Sequence, residues 1–276
     1  MDTLLRFFRD QPDALKVLFA WSEAEADPFA QFHAIATALE EHPELAEALD
    51  WPVPRIRSGR VDFWVLRLAL ARDALIQILP TRFQAFAPSP ESAREVALRT
   101  GLWLAHFAPR LGWTEVAGFT LGLLARVGQG PLEELAQRVK PFWRVPAGES
   151  LARMVAAERA ALIYDELAVG DALFTQWGAS PAWGRILLAS RHPRLTQKDR
   201  EPAIFLRLAR FLGEVGPDAR LDGAAIRPLV PPTWSREAAL APAALARART
   251  WVEARMRGEP ETASRGVSDA GAYRLA

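Results

Sequence analysis

The chain has 276 residues with a formal net charge of +1, and half of its residues are hydrophobic. This balance predicts a soluble globular protein and gives no global signature of a surface that binds polyanions. Cysteine is absent, which excludes disulfides, thiolate metal sites and cysteine nucleophiles. No apolar run approaches the ~20 residues of a membrane span, and the N-terminus lacks a signal-peptide pattern. We therefore expect a cytoplasmic protein that neither binds DNA nor inserts into a membrane.

Helical spacing of apolar residues dominates the first half of the chain. It predicts helices in TLLRFFRD and in DALKVLFAWSEAEA, followed by a helix that Asp27 caps and Pro28 begins. Pro43 starts a short helix, and the prolines of WPVPRIRSG predict a loop. A long apolar helix follows in RVDFWVLRLALARDALIQIL, and Pro80 is expected to end it.

The second half of the chain has clearer boundary signals. Gly112 is expected to end the helix of ESAREVALRTGLWLAHFAPRLG, and Thr114 to cap the next helix, which we expect to end at Gly128. Residues 149–178 predict one or two helices, and SPAWGRILLASRH and DREPAIFLRLARFLGEVG predict one each. A last helix is expected to kink at Pro242. Because alternating β-branched runs are missing, the sequence predicts an all-α protein.

Sequence patterns of known catalytic sites are missing. None of the four histidines lies in an HExxH, HxH or His-Asp arrangement, and there is no nucleophile elbow or phosphate-binding glycine loop. His33 and His106 lie on apolar helices, where we expect partly buried imidazoles. Arg55, Arg57 and Arg60 lie in one short stretch and form a candidate anion site. A solvated surface is the alternative for these arginines.

Tryptophan is unusually frequent, with 10 residues. Trp103, Trp177 and Trp183 lie on apolar helix faces and are expected in the core. Four others stand beside prolines, glycines or loop ends and are candidate anchors for a partner protein, with a purely structural role as the equal alternative. They are Trp51, Trp113, Trp143 and Trp234.

Four stretches share the segment pattern of one known family. They are AQFHAIATALEEHPELAEALDWPVPRIRSGRVDFWVLRLALARDAL, LWLAHFAPRLGWTEVAGFTLGLLARVGQG, ERAALIYDELAVGDALFTQWGASPAWGRILLASRHP and FLRLARFLGEVG. Together they resemble an HDOD domain, the signalling relative of the HD-type phosphohydrolases. The resemblance implies an HD-domain-like multi-helix bundle over residues 28–216. Helical extensions at residues 1–27 and 217–258 and a disordered tail at 259–276 complete the predicted organisation.

The resemblance also indicates where a metal-dependent relative would bind its ion. The residues at those positions are Val96, Ala125, Arg126 and Arg210. None of these side chains is a ligand for a divalent cation, and two of them are cationic. In addition, Glu166 and Arg191 each stand where the family has a histidine. The resemblance therefore implies that the metal site has been lost, and we expect no cofactor.

The sequence thus predicts a catalytically inactive, bacterial, HDOD-like regulator that acts through protein partners in a signalling pathway. One alternative is a metal-dependent phosphohydrolase or phosphodiesterase with an atypical site. Another is a module that binds a cyclic dinucleotide or other nucleotide through the arginine-rich loop or through Arg126 and Arg210. The simpler expectation for Arg126 and Arg210 is that they pair with nearby carboxylates such as Asp165 or Glu166.

Overall fold

The computed structural model describes residues 10–24, 27–49, 63–79, 90–145, 150–192, 199–215, 226, 228–230, 240 and 242–259. Its α-helices are α1 (Asp13–Glu23), α2 (Pro28–Glu40), α3 (Pro43–Ala48), α4 (Phe63–Ile78), α5 (Pro90–Phe107), α6 (Glu115–Leu123), α7 (Gln129–Val139), α8 (Leu151–Leu162), α9 (Glu166–Gln176), α10 (Pro181–Ala189), α11 (Arg200–Glu214) and α12 (Pro242–Met256). Short 3-10 helices span Ala108–Leu111 and Leu124–Arg126. These ranges contain no strand, so the prediction of an all-α fold is confirmed.

Several predicted helix boundaries are confirmed by their capping groups. The Asp27 carboxylate accepts a hydrogen bond from the backbone N–H of Ala30 at 2.9 Å at the start of α2. Thr114 Oγ1 accepts one from the N–H of Ala117 at 3.2 Å at the start of α6. These acceptors satisfy N–H groups that a helix start leaves without an intrahelical partner. Gly112 has φ of 68°, the left-handed conformation in which glycine ends a helix without a steric penalty.

The predicted end of α6 at Gly128 is wrong. The α-helix ends at Leu123, and the 3-10 helix Leu124–Arg126 follows. Gly128 has φ of −66° and immediately precedes α7, so it does not act as a left-handed stop. The reason for a glycine here is close packing, because a Cβ at Gly128 would lie 2.0 Å from the carbonyl oxygen of Glu166.

Two further differences concern helix breaks. The C-terminal helix begins at Pro242 and is not kinked there, since proline fits the first helical position, where its missing N–H has no intrahelical acceptor. Residues 149–178 form two helices, α8 and α9, separated at Ile163. Ile163 has φ of 71°, which is incompatible with a continuous right-handed helix.

Helices α5 and α6 approach each other closely in the core. A Cβ at Gly118 of α6 would lie 2.8 Å from the carbonyl oxygen of Leu104, and a Cβ at Gly122 would lie 2.7 Å from that of Thr100. Any larger residue at either position would therefore force the two helices apart. Helices α11 and α12 also pack against α5, which makes α5 the central helix of this part of the bundle.

One hydrophobic core contains residues from the first and the last described helices. Leu15 and Leu18 of α1 and Leu245 and Val252 of α12 are completely buried. Helix α1 packs against α2, α4 and α6. The flanking helices that the sequence assigns to extensions therefore contribute side chains to the same core as the central helices. Within the described ranges, none of the helices combines the length and apolar content needed to cross a bilayer.

Candidate functional site

The four positions at which the resemblance places metal ligands lie on three neighbouring segments. Val96 lies on α5, Ala125 and Arg126 lie in the 3-10 helix after α6, and Arg210 lies on α11. Arg210 Nη1 donates a hydrogen bond to the carbonyl oxygen of Ala125. Val96 lies where α5 contacts α11, since its carbonyl oxygen would be 3.1 Å from a Cβ at Gly213. The structure thus brings Ala125, Arg126 and Arg210 together and places Val96 at the adjacent helix contact.

Arg210 forms a buried ion pair with Glu166, the first residue of α9. Arg210 Nη2 donates to Glu166 Oε1, and the side-chain exposure is 4% for the arginine and 0% for the glutamate. Glu166 Oε2 accepts a second hydrogen bond, from Gln129 Nε2 at 2.7 Å. Both carboxylate oxygens therefore have donors, as a buried carboxylate requires. Through these contacts Glu166 links α9 to α11 and to the start of α7.

Glu158 of α8 is buried next to Glu166. Its Oε2 accepts a hydrogen bond from the backbone N–H of Glu166 at 2.8 Å, whereas its Oε1 has no hydrogen-bond partner among the described residues. Burial, reinforced by the nearby Glu166 carboxylate, raises the pKa of Glu158 to about 9. The raised pKa favours the protonated, uncharged form of Glu158 at neutral pH, and Arg210 contacts Glu166 directly.

Arg126 is the second cation of this cluster. Its Nη2 forms an ion pair with Glu214 Oε1 at the end of α11, where the glutamate side chain is 48% exposed. Burial, together with the nearby Arg210 guanidinium, lowers the pKa of Arg126 to about 10, so this residue is still protonated at neutral pH. The two arginines of the cluster are thus matched by two carboxylates, one buried and one at the protein surface.

Asp165 organises the connection between α8 and α9. Its Oδ1 accepts hydrogen bonds from the N–H groups of Leu167 at 3.0 Å and Ala168 at 2.9 Å, which caps α9. Its Oδ2 pairs with Arg159 of α8. These contacts fix Asp165 at the start of α9. Two residues earlier, Ile163 has a positive φ, which is a strained conformation for a β-branched residue. The sequence suggests Asp165 or Glu166 as the carboxylate partner of Arg126 or Arg210. In the structure Glu166 pairs with Arg210, whereas Asp165 pairs with Arg159.

The residues of the cluster do not fit a divalent cation. Both oxygens of Glu166 already accept from Arg210 and Gln129, and the carboxyl group of Glu158 is protonated. An ion beside these groups would also lie next to the guanidinium of Arg210, which repels it. In the part of the chain that the structure describes, no group of three or more histidine, cysteine, aspartate or glutamate side chains is arranged to hold a metal.

The structure describes only some of the remaining residues that the sequence predicts for a site. Trp113 and Trp143 are partly buried and pack against the core. The other candidates for anion or partner binding lie outside the described residues; they are Trp51, Arg55, Arg57, Arg60 and Trp234. His33 is exposed, so the expectation of a partly buried imidazole is wrong for this residue. The His106 imidazole contacts the rings of Trp103, Phe107 and Trp251, and its burial lowers its pKa to about 4.

The core tryptophans agree better with the prediction. Trp103 is 2% exposed and Trp177 is 6% exposed, as expected for residues on apolar helix faces. Trp183 is only partly buried, and its ring contacts Phe19 and Phe174 at centroid distances of 5.6 and 6.4 Å. It therefore lies at the edge of the core.

Sequence reasoning missed the roles of Gln129 and Glu158. Glu158 shares one buried face of α8 with Val155 and Leu162, at the helical spacing of i+3 and i+7. A glutamate within such an apolar stripe is a signal of a buried carboxyl group. Gln129 gives no comparable signal, because its partner Glu166 is 37 residues away along the chain.

Comparison with solved structures shows that the helical fold of this chain is a known one. The chain is similar to the crystal structure of a "Putative phosphohydrolase" from Shewanella amazonensis SB2B, with a TM-score of 0.57 and 17% sequence identity. The likeness covers 91% of this chain and 94% of that chain. At this identity it shows the fold alone, a phosphohydrolase-type helical bundle. No family model matches this sequence, and no curated protein does.

Proposed function

We propose that this chain is a non-catalytic, HDOD-like regulatory protein in which an internal ion pair replaces the metal site of the HD-type phosphohydrolases. The observation that carries the proposal is the buried pair of Arg210 and Glu166. Arg210 stands where the resemblance expects the last metal-binding aspartate, and Glu166 where it expects a histidine. A guanidinium supplies positive charge at this place, but unlike a metal ion it does not generate a nucleophilic hydroxide from bound water.

The charge balance of the cluster supports this proposal. Arg210 is matched by Glu166 and Arg126 by Glu214, while Glu158 is uncharged at neutral pH. A divalent ion would add two positive charges beside two guanidinium groups in a low-dielectric interior, where repulsion is strong. The same pairing argues against nucleotide binding by Arg126 and Arg210, since both already have carboxylate partners.

A regulator without chemistry acts through contacts, and exposed apolar side chains supply a candidate surface. Phe142 is 93% exposed and Val139 is 56% exposed at the C-terminal end of α7. Trp143 follows Phe142 directly and packs partly against the core, which restricts its movement. An exposed aromatic side chain beside an anchored one is a typical starting point for a protein-binding site. We name Val139, Phe142 and Trp143 the α7 surface.

The loss of catalysis is tested with the purified chain and Mn²⁺. Calorimetry with Mn²⁺ and hydrolysis of bis-p-nitrophenyl phosphate are expected to show neither stoichiometric binding nor turnover. The matched comparison is the triple variant Ala125→His, Arg126→Asp and Arg210→Asp, which places metal ligands at three of the expected positions. Circular dichroism must show that this variant folds. Stoichiometric Mn²⁺ binding and turnover by the wild type, both abolished by Glu166→Gln, would overturn the proposal.

The role in protein contacts is tested by affinity purification from the native bacterium. The wild type is expected to recover a reproducible partner that Phe142→Glu loses, because a charge in the centre of the α7 surface prevents its burial. Phe29→Glu is the matched control, since Phe29 is 85% exposed on a different helix, α2. Equal recovery by Phe142→Glu and the wild type would show that the α7 surface is not the binding site.

A further inference from the structure

A cationic stretch of the chain contains the α7 surface. From Leu135 to Gly148 the sequence has no acidic residue, whereas the whole chain has 34 basic and 33 acidic ones. The stretch also contains three basic residues, all exposed, which are Arg138, Lys140 and Arg144. The exposed apolar side chains of Val139 and Phe142 therefore lie between cations along the chain.

The three cations differ in what they contact. Arg138 lies in the last turn of α7, where the helix dipole favours a cation, and its Nη2 is 3.9 Å from Glu134 Oε2. Lys140 and Arg144 follow the end of the helix, and among the described residues neither of them pairs with a carboxylate. These two residues give the α7 surface its positive charge, while Arg138 has a role within the helix.

The turn after α7 holds Phe142 in a fixed position. The backbone N–H of Trp143 donates to the carbonyl oxygen of Lys140 at 2.9 Å. Arg144 Nη1 donates to the carbonyl oxygens of Pro141 at 2.9 Å and of Trp143 at 2.7 Å. These bonds and the fixed φ of Pro141 keep Phe142 in solvent, at 93% exposure, with a guanidinium group beside it. A partner that binds this turn therefore orders little of the chain on binding.

We infer that the α7 surface binds an acidic segment of a protein partner, in which carboxylates flank an apolar side chain. The inference rests on the proposed function, in which the same surface contacts a protein. The carboxylates of the segment pair with Lys140 and Arg144, and its apolar side chain packs on Phe142 and Val139. Opposite charges accelerate association and exclude cationic partners, and the buried aromatic side chain supplies affinity.

An anionic lipid surface fits this stretch less well. Recognition of such a surface by charge uses clusters of about four to eight Lys or Arg side chains. The stretch has three, and one of them is close to Glu134. Of the two aromatic side chains, Trp143 packs against the core, so Phe142 alone is free to enter a lipid interface.

The test measures how the full chain binds a labelled random copolymer of glutamate and tyrosine, by fluorescence anisotropy. We expect saturable binding that weakens as sodium chloride is added, and no binding of labelled polylysine. Lys140→Glu is expected to bind the copolymer about tenfold more weakly, because it removes one ion pair and adds a repulsion between like charges. Arg247→Glu is the matched control, since it makes the same charge change at an exposed position on α12.

A second variant tests the apolar contact. Phe142→Ala is expected to keep the affinity for labelled polyglutamate and to lose the tighter binding of the copolymer. No saturable binding of the copolymer by the wild type would overturn the inference, as would equal binding by Lys140→Glu. Vesicles that contain phosphatidylglycerol are the second probe. If the wild type binds them and not the copolymer, the α7 surface recognises lipid, and the inference is wrong.

The same charge reversal separates this inference from the proposed function. In the affinity purification from the native bacterium, Lys140→Glu is expected to lose the partner that Phe142→Glu loses. If Phe142→Glu loses this partner and Lys140→Glu retains it fully, the α7 surface still contacts a protein, and only the acidic character of the partner is overturned. The Mn²⁺ and turnover measurements involve neither residue, so the loss of catalysis is tested independently.

Discussion

Arg210 and Arg67 are buried to the same extent, at 3% and 4% exposure, but their surroundings differ. Arg210 contacts a buried carboxylate and a backbone carbonyl, whereas Arg67 contacts tryptophan rings and lies 4.0 Å from a half-exposed carboxylate. A carboxylate neutralises charge and accepts hydrogen bonds, while a ring only attracts the charge. Arg210 therefore has a carboxylate partner within the chain, whereas Nε and Nη1 of Arg67 have no hydrogen-bond partner among the described residues.

The largest expected effect comes from removing the guanidinium of Arg210. Arg210→Met leaves the Glu166 carboxylate buried and facing only an amide, so we expect the free energy of unfolding to fall by about 4 kcal/mol. Urea unfolding followed by circular dichroism measures this loss. It tests the first half of the comparison, because Arg210→Met removes the partner of Glu166 together with the hydrogen bond to the Ala125 carbonyl.

A double-mutant cycle isolates the ion pair. Glu166→Gln alone leaves Arg210 without its carboxylate, whereas the double variant Arg210→Met with Glu166→Gln removes both charges and is expected to recover part of the loss. Additive losses from the two single variants would mean that the pair is not coupled. The description of Arg210 as internally partnered would then be wrong.

The second effect is steric and concerns the backbone contact beside the same ion pair. Gly128→Ala would place a Cβ 2.0 Å from the carbonyl oxygen of Glu166, so α7 and α9 must move apart. We expect a loss of about 3 kcal/mol in the free energy of unfolding, at the upper end for overpacking, because a backbone atom cannot rotate away. Thermal and urea unfolding of the variant measure it.

Gly184→Ala is the control for Gly128→Ala. A Cβ at Gly184 would also lie 2.0 Å from an oxygen, but this oxygen belongs to the side chain of Asp171, which can change rotamer. A loss of less than about 1 kcal/mol is therefore expected. Equal losses for the two variants would show that the contact of α7 with the Glu166 backbone is not rigid.

The third effect depends on pH and concerns Glu158. Because the pKa of Glu158 is raised to about 9 in the folded protein, this residue keeps its proton there while the unfolded chain ionises near its ordinary value. Unfolding therefore releases a proton between these two pKa values, and stability falls as the pH rises from about 5 to 9. Glu158→Gln removes the titration, and we expect its stability advantage over the wild type to grow by about 3 kcal/mol between pH 5.5 and 8.

Urea unfolding at pH 5.5, 6.5, 7.5 and 8.5 checks this sign and size. The curves for wild type and Glu158→Gln should converge at the lowest pH and diverge as the pH rises. Parallel curves would mean that Glu158 titrates alike in the folded and unfolded chain. The cluster would then hold two charged carboxylates near Arg210, and its charge balance would differ from the one proposed.

The fold was predictable from the sequence wherever local signals decide the structure. Asp27, Thr114 and Gly112 each act on atoms within a few residues, so capping preferences predict the start or end of their helices. The end of α6 was not predictable in this way. It depends on the approach of Gly128 to Glu166, which are distant in sequence, and no local preference encodes that contact.

The same distinction applies to the sites. The resemblance directed attention to Arg126 and Arg210, but it did not identify which carboxylate each of them contacts, because those pairs join different helices. Arg67 was missed although it shares a face of α4 with Trp64 and Ala71, three residues before and four residues after it. A cation within a buried apolar stripe is the signal that would have found this residue.

The smallest expected effect completes the comparison. Arg67→Met removes a buried cation, and the Glu115 carboxylate that lies 4.0 Å from it is half exposed and stays solvated. Methionine fills a similar volume and keeps favourable contact with the tryptophan rings. In chloride we therefore expect stability to change by less than about 1 kcal/mol, against about 4 kcal/mol for Arg210→Met. Urea unfolding of both variants in one buffer measures the difference. If the Arg67 variant loses as much as the Arg210 variant, Arg67 has a partner within the chain, and the contrast between the two arginines no longer holds.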